Sequence, residues 1–187
     1  MRISGGKFRG RKLNTPTSDH IRPTSDKVRQ ALFNMLESRG MVDKSVVLDA
    51  FCGTGALGIE ALSRGAKFCT FMDKDRRSIG TCTQNVEQLG AQEQSKIIAQ
   101  DTTRLYKKPN TLPRADLVFL DPPYDQGFIS LAMTGLEDGD WVCDNVVYII
   151  ESEKNFDLNR EDMSVLQEKI YKDTKVMIIQ KITGENT

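Results

Sequence analysis

A glycine-rich turn is the first feature of this 187-residue sequence that could do chemistry. Gly53, Gly55 and Gly58 match the pattern G-x-G-x-x-G between a predicted strand and a predicted helix. Glycines there permit a tight turn and let a ligand approach the backbone closely. Asp73 ends the next predicted strand, twenty residues after Gly53, where a carboxylate can accept hydrogen bonds from a ribose diol. The pattern therefore predicts a nucleoside-containing ligand.

Two ligands fit such a turn, a nicotinamide dinucleotide and S-adenosylmethionine. One acidic residue discriminates between them. Asp49 precedes Gly53 by four residues, at the end of the first predicted strand. A carboxylate there repels a pyrophosphate at the helix N-terminus but suits the ammonium group of S-adenosylmethionine. A dehydrogenase would also need a second catalytic domain, for which 187 residues leave no room. Asp49 therefore favours the methyl donor, and the dinucleotide stays as the alternative.

The tetrapeptide Asp121-Pro122-Pro123-Tyr124 directly follows the predicted strand 115–120. Ligands bind off the carboxyl ends of parallel strands, so we expect this loop to face the glycine turn if the two strands are neighbours. The prolines stiffen the loop and leave mostly hydrogen-bond acceptors, to which the sequence adds a carboxylate and an aromatic ring. Such groups can hold the exocyclic amine of a stacked base and favour its pyramidal transition state. The loop predicts methyl transfer to that amine, driven mainly by in-line positioning.

The elements that must position these residues alternate between strand and helix. Short apolar runs predict strands over 46–50, 67–72, 95–99, 115–120 and 145–151. Apolar residues at helical spacing predict helices over about 25–38, 55–64, 75–90 and 127–136. This alternation predicts a parallel sheet with helices on both faces.

The C-terminal part departs from this alternation. The runs 167–172 and 175–182, joined through Asp173-Thr174, predict an antiparallel hairpin that closes the sheet. The predicted fold class is therefore α/β, with a doubly wound, mostly parallel sheet of seven strands that ends in this hairpin. A basic N-terminal arm or β-ribbon over 1–24 precedes the main domain over 25–187.

Composition argues against several other classes of protein. Hydrophobic residues make up 39% and charged residues 28%, as in globular rather than disordered chains. The longest apolar run has five residues, where a membrane helix needs about twenty, and residues 1–7 lack the apolar segment of a secretory signal. The four cysteines never form C-x-x-C and His20 is the only histidine. We expect a protein without a metal site, with free thiols, in a reducing cytoplasm.

The charge of the chain is zero overall but unevenly distributed. Residues 1–30 carry eight basic and two acidic side chains, which leaves a net charge of −6 on the remaining 157 residues. A basic arm on an acidic protein predicts a polyanionic partner, with nucleic acid as the first candidate. The predicted contacts are Lys7, Arg9, Arg11, Lys12, Arg22 and Arg29.

Longer motifs give a resemblance to a known family. They are Gly5-Gly6-x-x-Arg9-Gly10-Arg11-Lys12-Leu13, Arg22-Pro23-Thr24-x-Asp26-x-Val28-Arg29, Leu32-Phe33-Asn34 and Gly55-Ala56-Leu57-Gly58-x-Glu60-Ala61-Leu62-Ser63-Arg64-Gly65. Together with the Asp-Pro-Pro-Tyr loop, they resemble the RsmD family of class I S-adenosylmethionine-dependent methyltransferases through about residue 153. The resemblance implies a Rossmann-like fold and methylation of N2 of a guanine in 16S ribosomal RNA. We expect a cytoplasmic monomer that acts on an assembling small ribosomal subunit.

The resemblance also implies roles for individual residues. The tetrapeptide loop is expected to be catalytic through Asp121, Pro122 and Tyr124. Asp49 and the turn 51–55 are expected to meet the methionine part of the cofactor, Asp73 its ribose and Asp101 its adenine amino group. The segment Arg22-Pro23-Thr24 is expected to close over the cofactor. The full set of predicted cofactor contacts is Thr24, Asp49, Phe51, Cys52, Gly53, Gly55, Asp73, Lys74, Asp101 and Thr102.

Two competing functions stay open. The same loop chemistry serves an adenine-N6 methyltransferase acting on DNA or RNA, against which the compact arm and the lack of room for a base-flipping domain argue. The second is an NAD-binding or non-catalytic nucleic-acid-binding module that kept the fold. Asp49 and the intact tetrapeptide argue against this second class.

Overall fold

The computed structural model describes residues 1–15, 26–123 and 126–182. In these ranges, seven strands form a single sheet in the order β3-β2-β1-β4-β5-β7-β6. The strands are β1 (Val46–Asp49), β2 (Phe68–Asp73), β3 (Ser95–Ala99), β4 (Ala115–Leu120), β5 (Val142–Glu153), β6 (Met163–Tyr171) and β7 (Thr174–Lys181). Strands β1 to β5 pair in parallel, and β7 is antiparallel to both of its neighbours. The predicted doubly wound α/β fold with an antiparallel hairpin is confirmed.

Helices cover both faces of the sheet, as the strand–helix alternation predicts. They are α1 (Asp26–Ser38), α2 (Ala56–Ser63), α3 (Arg76–Leu89) and α4 (Gln126–Asp138). Successive side chains of a strand point to opposite faces, so Val47 packs with α1, α2 and α3 while Leu48 packs with α4. None of the helices in the described ranges is long and apolar enough to cross a membrane.

The hairpin turn lies one residue earlier than predicted. Tyr171 pairs with Thr174, so the two-residue turn consists of Lys172 and Asp173. Lys172 adopts a positive φ of 56°, as the first residue of a tight hairpin turn requires. Thr174 instead begins β7, because a β-branched residue fits an extended strand better than a turn.

The N-terminal residues form a ribbon that belongs to the core. The backbone N–H of Ile3 donates to Arg11 O at 3.0 Å, and that of Leu13 donates to Met1 O at 3.1 Å. Ile3 and Leu13 are both 2% exposed and pack with the apolar side chains of α1 and α2. The boundary predicted at residues 24 and 25 lies outside the described residues, and 1–13 share the core of the main domain.

Two glycines let this ribbon lie directly on α2. A Cβ on Gly6 would lie 1.8 Å from the carbonyl oxygen of Ser63, and one on Gly5 would lie 2.5 Å from the Arg64 guanidinium. The Ser63 hydroxyl accepts the backbone N–H of Phe8 at 2.9 Å. The glycines of the N-terminal motif therefore serve close packing at the C-terminal end of α2.

Candidate active site

The strand order creates a switch point between β1 and β4. From β1 the chain proceeds through β2 to β3 on one side, then returns to β4 on the other side. Such a reversal opens a crevice at the carboxyl ends of the two strands, where ligands bind in open α/β sheets. Asp49 pairs with Phe119, and the N–H of Ala50 donates to Phe119 O at 3.0 Å. The expected adjacency of β1 and β4 is confirmed. Phe51 and Asp121 come just after these paired residues, so both lie at the carboxyl ends of the two strands.

The glycine turn combines tight packing with one open position. A Cβ on Gly55 would lie 2.7 Å from Cys82 Sγ, and one on Gly58 would lie 2.4 Å from the Phe71 ring. These glycines bring α2 close to β2 and α3. Gly53 has a positive φ of 52°, and a Cβ there would meet no atom of the described chain within 4 Å. Its backbone therefore faces open space at the switch point, which fits the approach of a ligand.

Two carboxylates anchor this turn from below. Asp49 Oδ2 accepts the N–H of Gly58 at 2.9 Å, and Asp73 Oδ2 accepts the N–H of Gly53 at 2.9 Å. Asp73 Oδ1 also accepts the N–H of Asp75 at 2.9 Å. The spacing of twenty residues between Gly53 and Asp73 thus becomes a direct contact. Each acid fixes the turn in addition to any contact it makes with a ligand.

Burial sets the electrostatics of Asp49. Its side chain is 2% exposed, and desolvation raises its pKa from 3.8 to about 7. The hydrogen bond from Gly58 opposes this shift, and the negative charge of Asp73 adds to it. An ammonium group in the crevice would favour the ionised carboxylate, so the site has an electrostatic preference for a cationic ligand.

The loop after β3 lies against the same edge. Thr102 is buried, and its hydroxyl donates to the carbonyl oxygen of Ala50 at the end of β1. Asp101 Oδ1 accepts both the hydroxyl and the N–H of Thr103, at 2.7 and 2.9 Å, and these hydrogen bonds lower its pKa. Lys74 is exposed, with Nζ 5.4 Å from the centre of the Phe128 ring. Thr102 thus positions the loop, and Asp101 is held ionised beside the crevice.

The structure also defines the surroundings of Cys52 and of the tetrapeptide loop. A hydrogen bond with Cys82 and burial raise the pKa of the Cys52 thiol, so this side chain is a neutral packing group. Asp121 is half-buried and Pro122 is buried, directly after β4. Tyr124 lies outside the described residues, as do Arg22 and Thr24. Their expected roles in base stacking, RNA contact and closure over the cofactor stay predictions.

Four of the predicted RNA contacts are exposed on the ribbon. They are Lys7, Arg9, Arg11 and Lys12. Lys7 Nζ donates to Gln94 Oε1 at 2.6 Å, before β3, and Arg11 Nη2 donates to Gln88 O at 3.0 Å, near the end of α3. Both contacts lie at the edge of the sheet opposite the crevice.

The structure corrects the role predicted for Arg29. Its side chain is 1% exposed, and its guanidinium contacts Glu60 at 3.4 Å and Asp26 at 3.0 Å. It also donates to the backbone carbonyl of Arg2. The prediction that Arg29 contacts RNA at the mouth of the crevice is wrong, because this charge is buried and holds α1, α2 and the ribbon together.

Glu60 is the residue that the sequence reasoning missed. It is fully buried on α2 and accepts the N–H groups of Ser4 and Gly5 at 2.9 Å and the Arg64 Nε at 2.8 Å. A lone acid inside the apolar run of α2 was the available signal, since a buried carboxylate has to be paired. Glu60 couples the ribbon to the helix that begins at the glycine turn.

Comparison with known proteins agrees with this geometry. A family model described as "Conserved hypothetical protein 95" matches residues 1–180. Proteins named ribosomal RNA small subunit methyltransferase D are 37% identical in Haemophilus influenzae, over 90% of this chain and 88% of the relative, and 35% identical in Escherichia coli K12, over 88% and 85%. The solved structure of yhhF, a proposed methyltransferase from Escherichia coli, has a TM-score of 0.82 at 32% identity and covers 97% of each chain.

More distant structures share the fold alone. Magnesium protoporphyrin IX methyltransferase from Synechocystis, solved with bound S-adenosylmethionine, has a TM-score of 0.63 at 18% identity, over 83% of this chain and 79% of that one. Fold and crevice together define a class I methyltransferase, the Rossmann-like class that takes its methyl group from S-adenosylmethionine. Within that class, the chain belongs to the RsmD family, as its motifs indicate.

Proposed function

We propose that this chain transfers the methyl group of S-adenosylmethionine to N2 of a guanine in 16S ribosomal RNA. The observation that carries the proposal is the register between β1 and β4, which pairs Asp49 with Phe119. It sets a turn suited to the methyl donor beside a loop suited to an aromatic amine. The names of the curated relatives support ribosomal RNA as the substrate.

The residues of the crevice fit the proposed cofactor. Gly53 faces open space, and Asp49 lies beneath the turn with an electrostatic preference for a cation. We assign the methionine part to Asp49 and residues 51–55, the ribose to Asp73 and the adenine amino group to Asp101. When bound, S-adenosylmethionine supplies an electrophilic methyl group on a sulfonium.

The loop after β4 holds and orients the amine in this proposal. The Asp121 carboxylate and a neighbouring carbonyl accept hydrogen bonds from the two N–H groups of the guanine amine, which aims the nitrogen lone pair along the line of attack. The same acceptors stabilise the positive charge that develops on that nitrogen as its bond to the methyl carbon forms and the carbon–sulfur bond breaks. The methylated nitrogen then loses one N–H proton to solvent, and S-adenosylhomocysteine is the leaving group. The prolines keep the acceptors in place, so most of the rate enhancement comes from positioning. Tyr124 is proposed to stack on the base.

The substrate in the cell is proposed to be 16S ribosomal RNA within an assembling small subunit, met by a monomer in the cytoplasm. The test uses small subunits and naked 16S RNA from a strain that lacks this gene. The purified chain is incubated with S-adenosylmethionine carrying an isotopic label in its methyl group, and the RNA is digested and analysed by nucleoside mass spectrometry. The proposal expects labelled N2-methylguanosine, and an Asp121→Ala variant is the control.

Two results would contradict the proposal. Labelled N6-methyladenosine instead of N2-methylguanosine would identify an adenine methyltransferase, the alternative that the same loop chemistry allows. Calorimetric binding of NAD, with none of S-adenosylhomocysteine, would identify a dinucleotide-binding module.

A further inference from the structure

A second basic segment lies between β3 and β4, outside the ribbon. Residues 102–114 contain four cationic side chains and no acid, in a part of the chain that is acidic overall. The four are Arg104, Lys107, Lys108 and Arg114. Arg114 pairs with Asp140 at 3.4 Å, and Lys108 is buried with its Nζ on the carbonyl oxygen of Leu112 at 2.6 Å. Arg104 and Lys107 are exposed, and no carboxylate of the described residues lies within 4 Å to form an ion pair with either.

Tyr106 stands between these two exposed cations. Its side chain is 81% exposed, more than that of Leu131 at 55% or Ile182 at 54%. A single exposed apolar side chain is common on protein surfaces, so the exposure of this ring matters here only because exposed cations flank it. An aromatic ring between two cations is the arrangement with which proteins bind single-stranded nucleic acid, by stacking a base and contacting the adjacent phosphates.

The backbone that carries Tyr106 is fixed on both sides. The carbonyl oxygen of Tyr106 accepts the indole N–H of Trp141 at 2.8 Å, and the N–H of Lys108 donates to Gly139 O at 2.7 Å. The side chain of Leu105 lies on α4, where a Cβ on Gly135 would be 3.6 Å from it. The ring is therefore presented from an ordered segment, so little entropy is lost when it stacks on a base.

This segment runs from the crevice toward the amino edge of the sheet. The segment begins at Asp101 and Thr102, at the carboxyl edge of the sheet, and then lies along α4, the next helix after the tetrapeptide loop. Tyr106 and Lys108 are anchored on Trp141 and Gly139, and Trp141 O accepts the N–H of Ala115, the first residue of β4, at 2.8 Å. An RNA strand on this surface therefore contacts the protein near the amino end of β4, away from the amine-binding loop. The ribbon packs with α1 and α2 on one face of the sheet, whereas Leu105 packs with α4 on the other face, so the two basic regions contact different parts of a substrate.

We infer that Arg104, Tyr106 and Lys107 form a contact surface for single-stranded RNA, on which Tyr106 stacks an unpaired base and the two cations contact the flanking phosphates. This inference rests on the proposed function, because it assumes an RNA substrate. It extends that function by naming a surface that holds the RNA at a distance from the reacting base.

The first test measures stacking directly. A short single-stranded oligoribonucleotide that contains 2-aminopurine is titrated with the wild-type chain, and base stacking is followed by its fluorescence. Tyr106→Ala should weaken binding by roughly 5- to 100-fold, the usual range for one stacked base, while Tyr106→Trp should retain it. Unchanged affinity and quenching in Tyr106→Ala would overturn the stacking role.

The second test separates phosphate contacts from general charge. Arg104→Ala and Lys107→Ala should each reduce the slope of log affinity against log salt by about 0.7, the value for single strands. Lys154→Ala removes an exposed cation beyond β5 and is the matched control, which should leave the slope unchanged. Equal slopes for all three variants and the wild type would contradict the phosphate contacts.

Methylation of 16S RNA distinguishes failure of this inference from failure of the proposed function. If the wild type methylates the RNA and Tyr106→Ala does so at the same rate and affinity, only the contact surface is wrong. If the wild type methylates no RNA, the proposed function fails, and the fluorescence titration alone decides on the surface. Sedimentation velocity tests whether Tyr106 contacts a second copy of this chain rather than RNA. A wild-type dimer that becomes a monomer in Tyr106→Ala would overturn the inference.

Discussion

At the scale of single residues, Asp121 is the group on which the proposed chemistry depends. Asp121→Ala should reduce the rate of methyl transfer by about 10²–10³, because a preorganised acceptor for the developing charge is removed. The affinity for S-adenosylhomocysteine, measured by calorimetry, should stay the same. Tyr124→Ala should have an effect in the same direction, because the base would no longer be stacked. Near-normal turnover in both variants would remove the catalytic role of the loop.

The matched control for this loop is Asp144→Ala. Asp144 has a side chain 93% exposed on β5, and its replacement removes one carboxylate far from the switch point. The methylation rate and cofactor affinity of this variant should both match the wild type. A loss of rate in this control would mean that net charge, rather than the position of Asp121, governs activity.

Asp49 sets a pH dependence of stability whose sign follows from its raised pKa. In the unfolded chain this group ionises near 3.8, and in the fold near 7. Between these values the folded state holds a proton that the unfolded state has released, so this group lowers the stability as the pH rises through that window. Above about pH 7 this decrease in the free energy of unfolding is complete. The difference between the two pKa values corresponds to a decrease of roughly 4 kcal/mol.

Asp49→Asn removes this charge and keeps an oxygen for the N–H of Gly58. The variant should be more stable than the wild type at about pH 8, and the difference in Tm should shrink at about pH 5. Its affinity for S-adenosylhomocysteine should fall, since the amide cannot offset the ammonium charge. Calorimetry across this pH range measures both quantities. A Tm difference that is the same at both pH values would exclude the buried charge as its cause.

At the scale of elements, the ribbon and α2 form one unit with two different surfaces. The inner surface carries Ile3, Leu13 and the contacts to Glu60, whereas the outer surface carries exposed cations. This division explains why the arm contains both glycines and basic residues. The glycines allow close packing, and the cations remain in solvent.

The outer surface of the ribbon is predicted to bind RNA phosphates. Replacing Arg9, Arg11 and Lys12 together by Ala should weaken RNA binding for all sequences and reduce the salt slope by about 0.7–0.9 for each phosphate that is no longer neutralised. Affinity for S-adenosylhomocysteine should change little, because these residues lie at the opposite edge of the sheet. Filter binding at about 50 and about 200 mM salt measures the effect. If the triple variant binds and methylates RNA like the wild type at both salt concentrations, the ribbon is not an RNA site.

At the scale of the whole molecule, the ribbon completes the core. Deletion of residues 1–13 exposes the core that Ile3 and Leu13 cover, and it leaves Glu60 without two backbone donors. Loss of two buried aliphatic side chains costs about 3–6 kcal/mol, a large part of the usual stability of a domain. We expect loss of a cooperative thermal transition, measured by scanning calorimetry.

The triple alanine variant of the ribbon is the control for this deletion, since it removes charge but keeps both apolar anchors. It should unfold cooperatively near the wild-type temperature. If the deleted chain also unfolds like the wild type, the ribbon is an appendage and its burial contributes nothing to the fold.

The sequence by itself determined the class of fold and the position of the crevice along the chain. Strand–helix alternation, the glycine turn and the tetrapeptide are local patterns, because apolar spacing and glycine or proline at fixed positions act on the backbone within a few residues. The predicted strand 115–120 agrees with β4 residue for residue. The position of Asp73 at the glycine turn was also predictable, since its distance from Gly53 follows from the length of one helix and one strand, whereas its contact with a ribose stays a prediction.

Only the tertiary structure decided which charges face solvent. Arg29 and Arg9 look alike in a basic segment, yet Arg29 is buried against Glu60, thirty-one residues away in sequence, while Arg9 is exposed. Nothing in the sequence around Tyr106 indicates that its ring is exposed. In the structure, the backbone of Tyr106 is held by Trp141, and the ring lies in solvent. The burial of a charged or aromatic side chain depends on partners that packing brings together from distant elements, and local spacing carries no record of them.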